Sequence, residues 1–236
     1  MYCINNSMYF CKSIMNFNVS FKVNSSIYLR DPESSELGKK IVKSSIDLIY
    51  NLGFEHFTFK KLALEVQTTE ATVYRYFENK HRILLYILNW YWSYLEFSVI
   101  FKLQNIKDTK TKLKTIIHLL THKLPENEGN IIYNNEYLNQ IVIAESSKVY
   151  LVKEVKEINR HEVFKPYKDL CAKIAEVISD YNPNYKYPRS LSSTLIETAH
   201  YQQYFSTFLP RLTDSNSRDK HYTTSFLENM LFKILD

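Results

Sequence analysis

The chain has 236 residues, 45% of them hydrophobic, and a formal net charge of +5. That is enough for a real core in one large domain or two small ones. Only three glycines are present, which argues against a β-barrel or a phosphate-cradling α/β fold. The mild positive charge permits an anionic partner without demanding one.

Residues 1–14 have no clear period, and a second methionine, Met15, is an alternative start. The longest apolar run near the N-terminus, Met8 to Cys11, is too short for a secretory signal. From Phe17, apolar Val19, Phe21 and Val23 alternate with Asn18, Ser20 and Lys22, the period of a half-buried strand. Asn24-Ser25-Ser26 then reads as a turn and Ile27-Tyr28-Leu29 as the returning strand of a short β-hairpin arm. This arm, residues 1–33, carries Lys12, Lys22 and Arg30 and no acid up to Arg30. Such a basic arm suits an anionic partner.

Pro32 stops what precedes it, and Ser34 or Ser35 caps a first helix. Leu37, Ile41, Val42, Ile46, Leu48, Ile49 and Leu52 form its apolar stripe, and Gly53 ends it. Thr58 caps a second helix, with Phe57 and Leu62 at the positions of a hydrophobic staple. Phe59, Leu62, Ala63 and Val66 line one face of it. After Gln67-Thr68, Thr69 caps a third helix from Glu70 to Phe77, with Val73 and Phe77 inward. Asn79 caps a fourth that runs to about Gln104. Further helices are expected over 109–124, 134–146, 148–181 with a kink at Pro166, 189–209 and 216–235. The expected fold is all-α, with about nine helices. A helix-turn-helix head spans 34–82 and a helical body spans 83–236.

Two short helices joined by a three-residue turn form a helix-turn-helix unit, whose second helix enters the major groove. Thr69, Glu70, Thr72, Arg75 and Tyr76 are its expected exposed positions. Arg75 suits a guanine or a phosphate, Glu70 a cytosine amino group, and the Thr72 methyl a thymine methyl. Lys80, in the first turn of the fourth helix, suits a phosphate.

Residues 41–85 combine Gly53-Phe54, Phe57-Thr58, Leu62-Ala63, Thr69-Glu70-Ala71-Thr72-Val73-Tyr74, Tyr76-Phe77 and Asn79-Lys80. The combination resembles the DNA-binding domain of the TetR/AcrR family of bacterial transcriptional regulators. The resemblance implies an all-helical homodimer whose first three helices bind DNA and whose fourth links head to body. It also implies a ligand pocket in the body and dimer pairing through the last two helices, about 189–209 and 216–235. By matching positions, Thr69, Thr72, Tyr74, Tyr76 and Lys80 contact DNA, the last three mainly at phosphates. With Thr58, Lys60, Glu70 and Arg75 they complete the candidate interface. The family usually has glycine followed by an apolar residue in the turn, whereas this chain has Gln67 and Thr68. Gln67 is therefore expected in a left-handed conformation at a cost of roughly 1 kcal/mol. Lys60, Lys61, Arg75, Lys80 and Arg82 against Glu65, Glu70 and Glu78 give residues 57–82 only a faint positive charge.

On the fourth helix, Trp90, Tyr94, Phe97 and Phe101 share one face, with Trp92 on another. They read either as an aromatic ligand pocket or as packing between head and body. Ser192, Ser193, Ala199 and Ser206 read either as ordinary surface polarity or, as the resemblance favours, as close helix approach at a dimer interface. His118 and His122 are spaced i, i+4 without a third ligand, so neither a metal nor another cofactor is expected. No Ser-His-Asp order, carboxylate dyad or phosphate loop suggests an enzyme. No run of about 18 apolar residues suggests a membrane span. The sparse cysteines, Cys3, Cys11 and Cys171, fit a reducing, cytoplasmic setting. The resulting expectation is a dimeric, ligand-responsive repressor on a double-stranded operator, with an unknown small-molecule effector. The alternatives are a helical dimer that has lost DNA binding and serves as an interaction or small-molecule-binding module, or a helical protein with an enzymatic pocket.

Overall fold

The computed structural model describes residues 21–122, 133–153, 155–215, 219 and 221–236. The alternative start at Met15, the first strand up to Ser20, Cys3 and Cys11 lie outside them. Among the described residues there are eleven α-helices and no strand. They are α1 (Glu36–Leu52), α2 (Phe59–Val66), α3 (Glu70–Tyr74), α4 (Lys80–Leu103), α5 (Thr109–Thr121) and α6 (Asn135–Glu145). The chain continues through α7 (Ser147–Tyr150), α8 (Val155–Arg160), α9 (Lys165–Tyr181), α10 (Pro188–Phe208) and α11 (Tyr222–Leu235). The excess over the expected nine comes from residues 148–181. Pro166 does not kink one long helix there. It opens α9 at a first-turn position, where its missing N–H costs nothing, and α7 and α8 stand apart.

The head and body share α4. This helix is buried on almost every side, from Ile83 through Trp92 and Tyr94 to Val99. It packs on α1 at the head and on α5, α6 and α9 in the body. The expected boundary between residues 82 and 83 therefore falls inside one continuous helix. Beyond it, α9 packs on α10, α10 on α11, and α11 back on α5. Ser192 and Ala199 are buried within the subunit, and the Ser192 hydroxyl donates to the Cys171 carbonyl at 2.7 Å. Ser192 thus serves the packing of α10 on α9.

The expected returning strand is absent. Asn24 accepts from the Ser26 amide at 2.9 Å and closes a 3-10 turn over Ser25–Ile27. Val23 and Ile27 are buried in the same core. Phe21 meets the rings of Trp90, Tyr94 and Phe97 edge-on, and Tyr28 meets Tyr86. The apolar residues thus bury against α4 rather than pair with a second strand. A second 3-10 turn, Pro32–Ser34, crosses α1 at Gly38. A Cβ at Gly38 would stand 2.2 Å from the Pro32 carbonyl oxygen, so only glycine allows this crossing. Glu33 then accepts from the hydroxyls of Tyr86 (3.2 Å) and Tyr133 (2.8 Å).

Deep in the body, His200 lies fully enclosed beside the rings of Tyr91 and Trp92. Burial disfavours its charged form and pushes its pKa down to about 4. The unfolded chain takes up this proton near pH 6.5, whereas the folded chain does not. The stability contributed by neutral His200 is therefore present above about pH 6.5 and lost as pH falls towards 4. Thermal melts from pH 7.5 to 4.5 should show a fall in Tm that is shallower in His200→Leu. Parallel pH profiles for the two proteins would contradict this.

Candidate nucleic-acid interface and cleft

The helix-turn-helix is built from local caps. The Thr58 hydroxyl accepts from the Lys61 amide at 3.3 Å and starts α2. Phe57 and Leu62 are fully buried, as a staple requires. Gln67 adopts φ 60°, ψ 52°, the left-handed conformation that glycine would take without strain. The Thr68 amide then reaches back to the Ala63 carbonyl at 2.8 Å, the bond of a Schellman turn. The turn is therefore made without glycine, and backbone strain at Gln67 is its cost.

Thr69 caps α3 by accepting from the Thr72 amide at 3.2 Å. The Thr69 and Thr72 hydroxyls lie 3.0 Å apart, and Arg75 donates to the Thr72 hydroxyl at 3.2 Å. Glu70, Tyr74 and Arg75 are exposed, Thr72 is half-buried, and Tyr74 leans edge-on against Phe59 at 4.7 Å. Thr58 and Lys60 are exposed at the start of α2. The helix ends at Tyr74, three residues short of expectation. The amides of Arg75 and Tyr76 bond back to Thr72 and Val73, tightening the last turn before Asn79 caps α4.

Two expected contact residues are engaged inside the protein. Tyr76 was read as exposed, but it is 2% exposed. Its hydroxyl lies 2.8 Å from the Ser35 hydroxyl, its carbonyl accepts from the Leu29 amide at 2.8 Å, and the Arg30 guanidinium covers its ring. Lys80 is half-buried, and its ammonium donates to the carbonyls of Phe54 (3.0 Å) and Glu55 (3.1 Å) over the Phe54 ring. Both side chains brace the head. The arm docked over Tyr76 and the α1–α2 loop beside Lys80 are the reasons, and neither is visible as a local pattern.

The same loop is held by the body. The Phe54 amide donates to Glu145 of α6 at 3.1 Å. Lys148 lies 2.8 Å from both Glu145 and Glu55 and faces the Phe54 ring. Next to this clamp opens a cleft of about 550 Å³. Ile49, Tyr50 and Gly53 of the head line it, with Asn139, Ala144 and Glu145 of α6 and Gln203, Tyr204 and Phe208 of α10. Asn139 also accepts from the Tyr91 hydroxyl of α4 at 3.0 Å.

The five aromatic pocket candidates do not line this cleft. Trp90, Trp92 and Tyr94 are buried side chains of the common core, while Phe97 and Phe101 are 39% and 52% exposed on α4. A helix enclosed on nearly all sides leaves its aromatic rings packed rather than facing a void. The third histidine that sequence spacing did not supply is His221, whose ring is 5.8 Å from that of His122. The rings of His118 and His122 stack at 3.8 Å, and among the described residues no group of His, Cys, Asp or Glu is arranged to hold a metal. No helix among them is long and apolar enough to cross a membrane.

Residues 41–87 match the family described as bacterial regulatory proteins, tetR family. The chain carries a TetR-family N-terminal domain. No curated protein matches the chain in sequence. Among solved structures, AibR in complex with isovaleryl coenzyme A and operator DNA is 16% identical, with a TM-score of 0.59 over 84% of this chain and 98% of that one. A TetR-family transcriptional regulator from Rhodococcus sp. is 14% identical, with a TM-score of 0.56 over 84% and 97%. A transcriptional regulator from Saccharomonospora viridis in complex with choline is 16% identical, with a TM-score of 0.59 over 82% and 94%. At such identities the likeness establishes a shared fold.

Within the TetR-type head, Thr58, Lys60, Thr69, Glu70, Thr72, Tyr74 and Arg75 lie on α2, α3 or their caps with accessible side-chain atoms. Glu33, Glu145 and the contact of the Ser35 cap with Tyr76, which hold the head in place, were missed because each acts on a residue far away in sequence. The turn itself gives a direct test. Gln67→Gly should relieve the left-handed strain and raise stability by up to about 1 kcal/mol, while Gln67→Val should lower it. Denaturant melts with equal m-values would measure both, and a Gly variant less stable than Val would refute the assignment.

Proposed function

We propose that this protein is a ligand-responsive transcriptional repressor that binds a pseudo-palindromic operator as a homodimer. The observation that carries this reading is the capped α3. Its accessible Thr69, Glu70, Thr72 and Arg75 combine donors, acceptors and a methyl group suited to base edges. Thr58, Lys60 and Tyr74 flank it with groups suited to phosphates. Tyr76 and Lys80 support this surface from behind.

Dimer formation is supported by apolar side chains left outward on the last two helices and the turn after α10. Tyr201, Phe208, Leu209 and Leu212 along and just after α10, and Ile234 of α11, are exposed. A second copy pairing through these helices would bury them. Its two recognition helices could then address major grooves about 34 Å apart, the requirement for two-fold operator recognition.

The cleft supports the regulatory part. It touches α1, Gly53 and Glu145, the residues beside the clamp on the α1–α2 loop. A ligand that fits it in only one head position would shift the head-to-head spacing by its differential affinity. AibR is described with both operator DNA and isovaleryl coenzyme A, and the S. viridis regulator with choline, so this architecture accommodates both kinds of ligand.

The reading is tested by selecting duplexes from a random pool with the full-length protein. An inverted repeat should be enriched. On it, Arg75→Ala and Tyr74→Phe should each weaken binding about tenfold, within the 1–3 kcal/mol of one good contact, with Tm unchanged. A pool with no enriched repeat would favour a helical interaction module instead.

A further inference from the structure

The DNA-facing side of this head has few unengaged cations, and the arm supplies one. Lys80 donates to two loop carbonyls, Lys61 to the His56 carbonyl at 2.9 Å, and Lys40 to the Val66 carbonyl at 3.1 Å. Arg82 lies 3.5 Å from Glu78. Thr69, Thr72 and Tyr76 fall on one side of α3 and its closing turn, but the Tyr76 hydroxyl is turned inward onto Ser35. The group on the outer side of that ring is Arg30, its guanidinium carbon 5.2 Å from the ring centre. Arg30 is exposed and has no carboxylate partner among the described residues. Its acidic neighbours are committed elsewhere. Asp31 accepts from the Glu33 amide at 2.9 Å, Glu33 from two tyrosine hydroxyls, and Glu36 from Lys39 at 2.9 Å.

The backbone on both sides of Arg30 is fixed. Leu29 bonds to the Tyr76 carbonyl, and Pro32 lies against Gly38. Val23 and Ile27 are buried, so the described part of the arm is docked rather than free to thread a groove. What remains is a planar, always-charged fork held on an aromatic face beside the recognition helix. That chemistry recognises a phosphodiester, through paired N–H donors that need little reorganisation on binding.

We infer that Arg30 is a DNA-backbone contact, binding one phosphate beside the α3 surface where the Tyr76 hydroxyl is withdrawn. The assignment rests on the DNA-binding reading above and specifies a contact outside the helix-turn-helix. A phosphate contact adds affinity and salt dependence without sequence preference.

The test uses full-length wild type, Arg30→Gln, Arg30→Lys and Arg75→Ala, each checked for an unchanged melting curve. Fluorescence anisotropy is read on the selected inverted repeat and on a scrambled duplex, from 50 to about 200 mM salt. Arg30→Gln should weaken binding to both duplexes by a similar factor, about five- to tenfold at low salt. It should also lower the slope of log K against log salt by about one per subunit. Arg30→Lys should keep the slope and lose part of the affinity, and Arg75→Ala should weaken the inverted repeat preferentially. An Arg30→Gln slope equal to wild type, with Arg75→Ala still impaired, would overturn the Arg30 assignment alone. A wild-type protein that binds neither duplex would overturn both readings.

Discussion

Everything in this molecule is organised by the enclosure of α4. Its residues join head and body in one core. Tyr86 packs against Phe77 of the head and Tyr28 of the arm, while Trp92 packs against Tyr167 of α9 and bonds to the hydroxyl of Tyr150. A helix packed into head and body at once cannot tilt without disturbing both, because packed interiors resist continuous deformation. The head is therefore not a bead on a linker. Its position is set by α4, by the arm that runs beside it, and by the Glu145–Phe54 clamp. This coupling would let a small change in the cleft, whose wall includes Asn139 bonded to Tyr91 of α4, reach the recognition helix.

Local signals carried the head. The hydroxyl caps at Ser35, Thr58 and Thr69, the Asn79 cap, the staple of Phe57 on Leu62, and the glycine stop at Gly53 are short-range devices. Each is legible because its partner lies within a few residues. The arm was misread for the opposite reason. Phe21 and Val23 do continue a strand-like alternation, but the rings that cover Phe21 are Trp90, Tyr94 and Phe97 of α4, far downstream. Period alone does not name the surface that will cover it. Tyr76 failed in the same way, because its exposure was inferred from the helix register and its burial comes from Arg30, Leu29 and Ser35. The aromatic face of α4 reads as either pocket or packing; Trp90, Trp92 and Tyr94 are buried in the core, and a cleft lies where α1, α6 and α10 meet.

The departures from the family pattern also have a physical order. Gln67 accepts backbone strain, yet the Schellman bond from Thr68 still closes the turn. A single strained residue is tolerable when the surrounding caps and buried side chains determine its conformation. The matching Tyr76 keeps the family's residue type but turns its hydroxyl inward onto Ser35, with Arg30 over its ring. The fold alone would not distinguish these cases, since one architecture hosts many functions and the site decides among them.

In the proposed function, α3 and the arm beside it form the DNA-reading face. Hydrogen exchange followed by mass spectrometry, with and without the selected duplex, tests it most directly. Slowed exchange is expected in residues 69–76 and 29–35, with the interior of α9 unchanged. Unaltered exchange in 69–76 at saturating duplex, with protection appearing elsewhere, would contradict it.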